Sequence, residues 1–269
     1  MSKTSAKVAI LTGAASGMGE ALARDLVSKD WHVACLDVQK QAGEALVAEL
    51  GNNCIFIQCD IADYDQQAKA CTEVWDKYGR LDALLANAGI VDKSSIYILD
   101  WRGKDEIPPK PNTACTDIDY KAILYGVQLA IHFMRKNPTP GGQIIATSSI
   151  AAVVNLALCI EPILRMKENI SINVVLPGIV PTKIIPQSMI DAVSSECLTP
   201  ASTIVSAYNH FLDNPTVSGQ VVECSTDKHF FLPRPELANG RFTKRAITVW
   251  DPLFKMLHHE GSGLPDAIP

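Results

Sequence analysis

The chain has 269 residues, of which 47% are apolar and 20% are charged. This length and apolar content can bury a full core in one domain or two small ones, and the composition excludes a disordered charged tail. Aspartates and glutamates number 29, against 24 lysines and arginines. Because the net charge of −5 does not attract phosphate groups, neither a nucleic-acid-binding nor a lipid-surface role is expected.

Neither a secretion signal nor a membrane anchor is predicted. The first apolar run, residues 8–11, is shorter than the roughly 7–15 residues of a signal, and the longest, residues 150–160, is shorter than the ~18 residues of a membrane span. We therefore expect a soluble, cytoplasmic protein. The eight cysteines include no Cys-x-x-Cys pair, which predicts small buried side chains rather than disulfides or metal ligands.

Short apolar runs alternate with longer amphipathic segments along the chain. Apolar runs without alternation predict strands buried on both faces, and therefore a parallel sheet covered by helices. The predicted strands are residues 8–11, 32–38, 54–59, 81–86, 143–147, 171–176 and 220–224. The predicted helices are residues 19–28, 42–50, 66–78 and 118–133. This order indicates a single-domain, doubly wound α/β fold of the Rossmann type.

Two stretches interrupt the alternation. Residues 92–113 are polar and contain three prolines, which predicts a surface loop over one end of the sheet. Residues 233–269 follow the last predicted strand and are too short for a domain. We therefore predict a dinucleotide-binding domain at 1–232 and a C-terminal extension at 233–269 that packs on it, with a short helix at 253–257.

A glycine-rich segment joins the first predicted strand to the first predicted helix. Glycines in this position allow a tight turn and the close approach of a pyrophosphate, which the N–H groups at the helix start then face. The candidate phosphate-binding residues are Gly13, Ser16, Gly17, Met18 and Gly19.

Asp37 ends the second predicted strand, eighteen residues after Gly19. A carboxylate at this point accepts hydrogen bonds from an adenosine ribose and repels a 2′-phosphate, which favours NAD over NADP. The alternative interpretation is that Asp37 only caps a strand or turn.

With these residues in view, the chain resembles the short-chain dehydrogenase/reductase family, most closely its fungal members near the 15-hydroxyprostaglandin dehydrogenase-like group. Four further motifs occur in the family's order: Asp60-Ile61, Asn87-Ala88-Gly89, Thr147-Ser148-Ser149 and the segment from Pro177 to Thr182. The resemblance implies that the first lies at the adenine edge and that Ser149 is the catalytic hydroxyl. It also implies that the last segment, through Pro177, Gly178, Val180 and Thr182, holds the nicotinamide carboxamide.

The resemblance implies NAD(P)-dependent interconversion of a secondary alcohol and a ketone on a small lipophilic substrate. In this chemistry a tyrosine exchanges a proton with the substrate oxygen, and a lysine four residues later lowers the pKa of its phenol. A serine steadies the substrate oxygen, and an asparagine helps to hold a proton-relay water. Asp119, the second catalytic candidate beside Ser149, stands where the family usually has that asparagine; a carboxylate can still accept from the relay water but cannot donate as an amide does. The alternative interpretation is that Asp119 is a solvated charge on its helix.

The family's Tyr-x-x-x-Lys pair has no counterpart in the sequence. The positions thirteen and seventeen residues after Ser149 hold Pro162 and Met166, and none of the six tyrosines has a lysine four residues later. Only residues 150–170 connect the serines to the next strand, about fifteen fewer than usual. The pattern indicates a deletion, with Pro162 in the first turn of a remnant helix of about two turns.

Three interpretations stay open: an impaired dehydrogenase, a nucleotide-binding pseudoenzyme or repurposed non-redox protein, and an unstable product of a wrong exon junction. In the family, the shortened helix packs with the helix at 118–133 of a second subunit. We therefore expect a weakened homo-oligomer with apolar surface left on that helix.

Overall fold

The structure is a computed structural model that describes residues 5–91, 98–149, 155–234 and 236–269, without the side chains of residues 100, 155–158 and 246. The strands in these ranges form one sheet in the order β3-β2-β1-β4-β5-β6-β7-β8. They are β1 (Val8–Thr12), β2 (His32–Asp37), β3 (Cys54–Gln58), β4 (Ala83–Ala86), β5 (Gly142–Thr147), β6 (Ile170–Pro177), β7 (Val221–Ser225) and β8 (Lys228–Leu232).

Helices cover both faces of this sheet. They are α1 (Gly17–Ser28), α2 (Lys40–Leu50), α3 (Tyr64–Tyr78), α4 (Ala122–Met134), α5 (Asn155–Glu168), α6 (Gln187–Ala192), α7 (Ala201–Asp213), α8 (Gly240–Ile247) and α9 (Asp251–His258). One core contains Leu22 of α1, Leu46 of α2 and Phe211 of α7, and the other contains Val74 of α3, Phe133 of α4 and Leu164 of α5.

The doubly wound α/β prediction is confirmed. The ladders from β3 through β7 are parallel, and every residue of β1, β4 and β6 is buried. Strands buried on both faces explain why their sequences show no polar alternation. None of the described helices is long and apolar enough to cross a membrane.

Strand β8 was not predicted. It pairs antiparallel with β7 through a two-residue turn at Thr226 and Asp227, where Thr226 has a φ of 54°. Two-residue turns of hairpins usually carry Asn-Gly or Asp-Gly, so the sequence Thr226-Asp227 gives only a weak indication of a turn. The apolar run at 230–232 has only three residues, shorter than the predicted strands, and these residues are exposed on the edge strand β8.

The remnant-helix prediction is wrong in its bounds. Helix α5 is described from Asn155 to Glu168, so Pro162 lies in its interior rather than in its first turn. A proline removes one i→i−4 hydrogen bond, but the turns on either side can still pack. Ile160 packs against the core and Leu164 is buried, four residues apart across Pro162.

Residues 98–113 of the loop predicted at 92–113 are described: a single 3-10 turn at Leu99–Trp101 interrupts it, and residues 102–113 contain no helix or strand and are exposed. Residues 92–97 lie outside the described residues.

The cysteine prediction holds for five of eight residues, which are buried, whereas Cys159 and Cys197 are exposed. The boundary between the dinucleotide-binding domain at 1–232 and the C-terminal extension at 233–269 stays a prediction.

Candidate functional site

The predicted cofactor motifs lie at the carboxyl edge of the sheet. Strand β1 lies between β2 and β4, so the chain order reverses beside it and opens a crevice at the ends of these strands. In doubly wound folds this crevice is where a dinucleotide binds.

The glycine-rich loop between β1 and α1 depends on its glycines. Gly13 and Gly17 have φ values of 66° and 57°, which residues with a side chain rarely adopt. A Cβ on Gly19 would lie 2.0 Å from the carbonyl oxygen of Gly13. The three glycines therefore let the loop fold tightly against the start of α1.

The start of α1 presents backbone donors to the crevice. Ser16 precedes the helix in an extended conformation, and its hydroxyl does not cap the helix. The N–H groups of Gly17, Met18 and Gly19 are among the first of the helix, which have no acceptor within it. Together with the helix dipole, they suit an anionic ligand such as a diphosphate.

Asp37 is fixed between this loop and its own turn. Its side chain is buried, with Oδ2 accepting the N–H of Ala15 and Oδ1 accepting the N–H of Gln39, both at 2.9 Å. The hydrogen bond with Gln39 shows that Asp37 does cap its turn, as the alternative interpretation expects. The hydrogen bond with Ala15 additionally joins Asp37 to the glycine-rich loop. Because a carboxylate can accept about four hydrogen bonds, ribose hydroxyls can still bind.

Asp60 and Ile61 follow β3 on the next loop. The N–H of Cys59 donates to the carbonyl of Asp37 at 3.0 Å, which brings this loop beside the Asp37 turn. Asp60 is exposed and its Oδ1 accepts the N–H of Ala62 at 2.9 Å, whereas Ile61 is buried. This placement is compatible with an adenine edge next to the ribose carboxylate.

Asn87 and Ala88 fasten the loop after β4 to the end of β1. Both backbone N–H groups donate to Oγ1 of Thr12 at 3.1 Å, and Nδ2 of Asn87 donates to the carbonyl of Thr12 at 3.1 Å. A Cβ on Gly13 would lie 2.8 Å from Cα of Ala88, so these loops touch. Sequence reasoning missed Thr12 as a site residue, because its partners Asn87 and Ala88 are 75 and 76 residues away in the chain.

Asp119 lies close to Gly89, in a π-helical turn at Thr116–Lys121 that precedes α4. Its Oδ1 accepts the N–H of Ile90 at 2.9 Å, and Sγ of Cys115 lies 3.4 Å from Oδ2. Asp119 therefore holds the loop after β4 in place at the crevice. π-Helical turns recur at functional sites.

Ser149 lies two residues beyond the end of β5 and is half-buried. The N–H of Ser148 donates to the carbonyl of Val175 at 2.9 Å, which continues the β5–β6 pairing toward Ser149.

The hydroxyl of Tyr208 on α7 hydrogen-bonds to Oγ1 of Thr147. Tyr208 is fully buried, and burial raises the pKa of its phenol, so it is not placed to exchange protons with a substrate.

The segment from Pro177 to Thr182 begins where β6 ends. The N–H of Gly178 donates to the carbonyl of Cys224 at 2.8 Å, and Val180 is buried. A Cβ on Gly17 would lie 2.9 Å from Cγ2 of Thr182, so this segment reaches the glycine loop. The structure thus gathers motifs that are far apart in sequence around one crevice.

Comparisons with known proteins agree with this arrangement. The family model described as short chain dehydrogenase matches residues 7–160. The chain is 47% identical to short-chain dehydrogenase/reductase prx6 of Penicillium rubens, over 100% of this chain and 99% of that protein. It is 30% identical to mouse 15-hydroxyprostaglandin dehydrogenase [NAD(+)], over 66% of this chain and 69% of that protein.

A solved structure shares the fold. The crystal structure of 3-ketoacyl-(acyl-carrier-protein) reductase from Brucella melitensis complexed with NADH has a TM-score of 0.71 and 18% identity, and covers 81% of this chain and 96% of that one. The match to the family model over more than half of the chain, supported by the full-length relative, establishes that this protein belongs to the short-chain dehydrogenase/reductase family of oxidoreductases.

Proposed function

We propose that this chain binds NAD in preference to NADP and that it catalyses the alcohol–ketone reaction weakly. The family uses NAD(P) cofactors and small-molecule substrates. The observation that carries the proposal is the buried Asp37 carboxylate, held between the N–H groups of Ala15 and Gln39 beside the phosphate-binding loop. A fixed negative charge there repels a 2′-phosphate.

The residues present fit the dinucleotide. The N–H groups at the start of α1 would bind its diphosphate, Asp37 its adenosine ribose, and Asp60 and Ile61 the adenine edge. The segment from Pro177 to Thr182 would hold the nicotinamide. The 15-hydroxyprostaglandin dehydrogenase relatives, whose name specifies NAD(+), support the choice of NAD.

The chain's own residues can perform part of the chemistry. When bound, the nicotinamide supplies or accepts a hydride. The Ser149 hydroxyl would hydrogen-bond to the substrate oxygen, and Asp119 would position the loop that ends at Ile90. Positioned acid–base groups contribute roughly 10²–10⁴-fold to a rate. Without the Tyr-x-x-x-Lys pair, we expect turnover to fall by at least this factor.

Two features of the comparisons support a shortened crossover after β5. The match to the family model ends at residue 160, inside α5. The alignment with prx6 extends over 296 positions although this chain has 269 residues, so the relative contains residues without a counterpart here. A small lipophilic alcohol or ketone as substrate, and a cytoplasmic location, stay predictions.

A nucleotide-binding pseudoenzyme is the second candidate. Pro162 and Met166 stand where the acid and its lysine partner belong, and neither can transfer a proton. Exposed Tyr120 and Leu124, on the π-turn and α4, are the kind of apolar surface expected from a weakened oligomer. The dehydrogenase and the pseudoenzyme share the cofactor site and differ only in turnover.

The test measures binding and turnover separately. Nicotinamide fluorescence is titrated with NADH and NADPH, and we expect NADH to bind more tightly. Turnover is then measured on a panel of secondary alcohols, before and after residues 150–169 are replaced by a family crossover that carries Tyr-x-x-x-Lys. The matched control is the same replacement with phenylalanine for that tyrosine.

The outcomes distinguish the proposals. Measurable turnover in the native chain that rises only in the tyrosine version supports an impaired dehydrogenase, and NADH binding without any turnover in the native chain supports the pseudoenzyme. Equal turnover in the native chain and the tyrosine version contradicts the proposed impairment. Failure of folded protein to bind NADH contradicts both candidates.

A further inference from the structure

The C-terminal unit, residues 236–269, is held together by its own polar contacts. Asp251 and Ile268 pair through a backbone hydrogen bond of 2.8 Å, next to a parallel bridge between Trp250 and Ile268. The carboxylate of Asp251 accepts the N–H and hydroxyl of Ser262 at 2.7 and 2.6 Å. Ser262 is fully buried, so the unit has a polar inner side with satisfied hydrogen bonds.

Helix α9 turns its apolar stripe toward solvent. Trp250, Leu253, Met256 and Leu257 are 53%, 42%, 66% and 60% exposed. Their spacing of three and four residues places them on one side of the helix. A helix on a globular protein usually turns such a stripe toward the core, so this stripe requires a different explanation.

Three of the four acidic side chains of the unit make local contacts, and the fourth, Glu236, is exposed. Glu260 pairs with Lys167 of α5 at 3.2 Å, and Asp266 pairs with Lys244 at 3.3 Å. Hydrogen bonds from Ser262 lower the pKa of Asp251, which therefore stays ionised and bound inside the unit. Little negative charge is left to repel an anionic partner.

The basic side chains lie on the outside. Arg241 and Arg245 of α8 are exposed, in the same short helix as exposed Phe242 and Ile247. This surface therefore combines aromatic and aliphatic side chains with positive charge, although the chain as a whole carries −5. Residues 236–269 contain four basic and four acidic residues, so the net positive charge is confined to α8, which has three basic and no acidic residues.

We propose that α8 and α9 dock on an anionic lipid surface. Interfacial helices carry Trp, Phe and Leu on the side that enters the headgroup region and Lys and Arg around it. Anionic headgroups attract each nearby basic residue. A second copy of this chain fits less well, because a two-fold contact through α8 would place Arg241 and Arg245 of both copies in one interface, and α8 has no acidic residue to offset them.

The experiment measures flotation of the full-length protein with vesicles. We expect binding to vesicles of phosphatidylcholine with phosphatidylserine, weaker binding to phosphatidylcholine alone, and a decrease as salt rises. The double variant Met256→Glu/Leu257→Glu should bind about tenfold or more weakly, since it places two charges at the apolar boundary. Trp250 emission should shift to the blue on binding, and Trp250→Phe should lose that shift.

The control is Ile107→Glu, which adds a charge at an apolar side chain that is 90% exposed in the loop at 102–113. It should bind vesicles like the native chain. Absence of native binding, or equal loss in the control, overturns the proposal. A native dimer in solution that Met256→Glu/Leu257→Glu converts to monomers would also overturn it, because a second copy would then cover this face.

Discussion

Oδ2 of Asp37 accepts a hydrogen bond from the backbone N–H of Ala15 at 2.9 Å. This bond connects the end of β2 to the loop between β1 and α1, so the proposed ribose carboxylate and the proposed phosphate loop position one another. The N–H of Gly13 also donates to the carbonyl of Leu36, at 2.8 Å. The two halves of the cofactor site are therefore arranged relative to each other by the protein alone.

Replacement of this carboxylate should weaken NADH binding. Asp37→Asn keeps one oxygen acceptor but removes the charge and one of two acceptors. Hydrogen bonds to charged groups contribute about 1.5–3 kcal/mol, so we expect NADH to bind about tenfold or more weakly. The preference over NADPH should fall too, because no fixed charge then repels the 2′-phosphate. Fluorescence titration measures both changes.

The control is Asp213→Asn, which removes an exposed carboxylate at the end of α7. It should leave both affinities unchanged. An unaltered NADH to NADPH ratio in folded Asp37→Asn would mean that Asp37 only caps its turn.

A side chain on Gly19 should disrupt the phosphate loop. In Gly19→Ala the new Cβ would lie 2.0 Å from the carbonyl oxygen of Gly13, so the loop must move. Overpacking of this kind costs about 1–3 kcal/mol of unfolding free energy. We expect lower stability in urea and markedly weaker NADH binding.

Gly51→Ala is the control, because it introduces backbone strain without the steric clash that Gly19→Ala creates. Gly51 has a φ of 79°, but its Cβ would meet nothing within 4 Å. Gly51→Ala should therefore lose some stability and keep its NADH affinity. If the two variants bind NADH equally well, the close approach at Gly19 is not needed for binding.

The parts of the site that the sequence predicts are those set by local backbone requirements. The glycine loop and Asp37 follow from a strand, a tight turn and a helix start, all within about 30 residues. The role of Thr12 depends on Asn87 and Ala88, which reach it only through the pairing of β1 with β4. A contact of this kind has no signature in either segment alone.

The bounds of α5 illustrate the same limit. Proline is disfavoured inside an isolated helix, so the sequence favours a helix that starts at Pro162. Packing of Ile160 and Leu164 against the sheet outweighs that local preference. Tertiary burial, which propensity does not include, therefore lets the helix continue through Pro162.

The hydrogen bond between Tyr208 and Thr147 should stabilise the fold. Burial keeps the phenol of Tyr208 protonated by raising its pKa, and its partner lies at the end of β5. Tyr208→Phe should lower the free energy of unfolding by about 1–3 kcal/mol, because Oγ1 of Thr147 loses a buried partner. Thr147→Val completes a double-mutant cycle in urea, and we expect a coupling of ~1 kcal/mol.

The control for this cycle is Tyr64→Phe, because Tyr64 is 41% exposed. It should change stability little. Additive effects of Tyr208→Phe and Thr147→Val would show that the two hydroxyls do not interact.

The stability of the protein should fall as the pH drops below about 6.5, partly because of His32. Its ring stacks on Tyr78, with centroids 4.8 Å apart, and burial followed by the charge of Lys77 lowers the pKa of the imidazole from its ordinary 6.5. The unfolded chain therefore binds a proton at a higher pH than the folded chain. The contribution is fully present above the unfolded pKa and is lost as the pH falls toward the folded one.

His32→Phe keeps an aromatic ring against Tyr78 and removes this titration. Thermal unfolding is followed from about pH 7.5 to about pH 5.5, a window in which histidine is the main side chain that titrates. The variant should lose less stability over this window than the native protein. His258→Asn, which removes an exposed histidine of α9, should keep the native slope. The assignment fails if His32→Phe and the native protein lose stability in parallel, because the proton taken up on unfolding would then belong to another group.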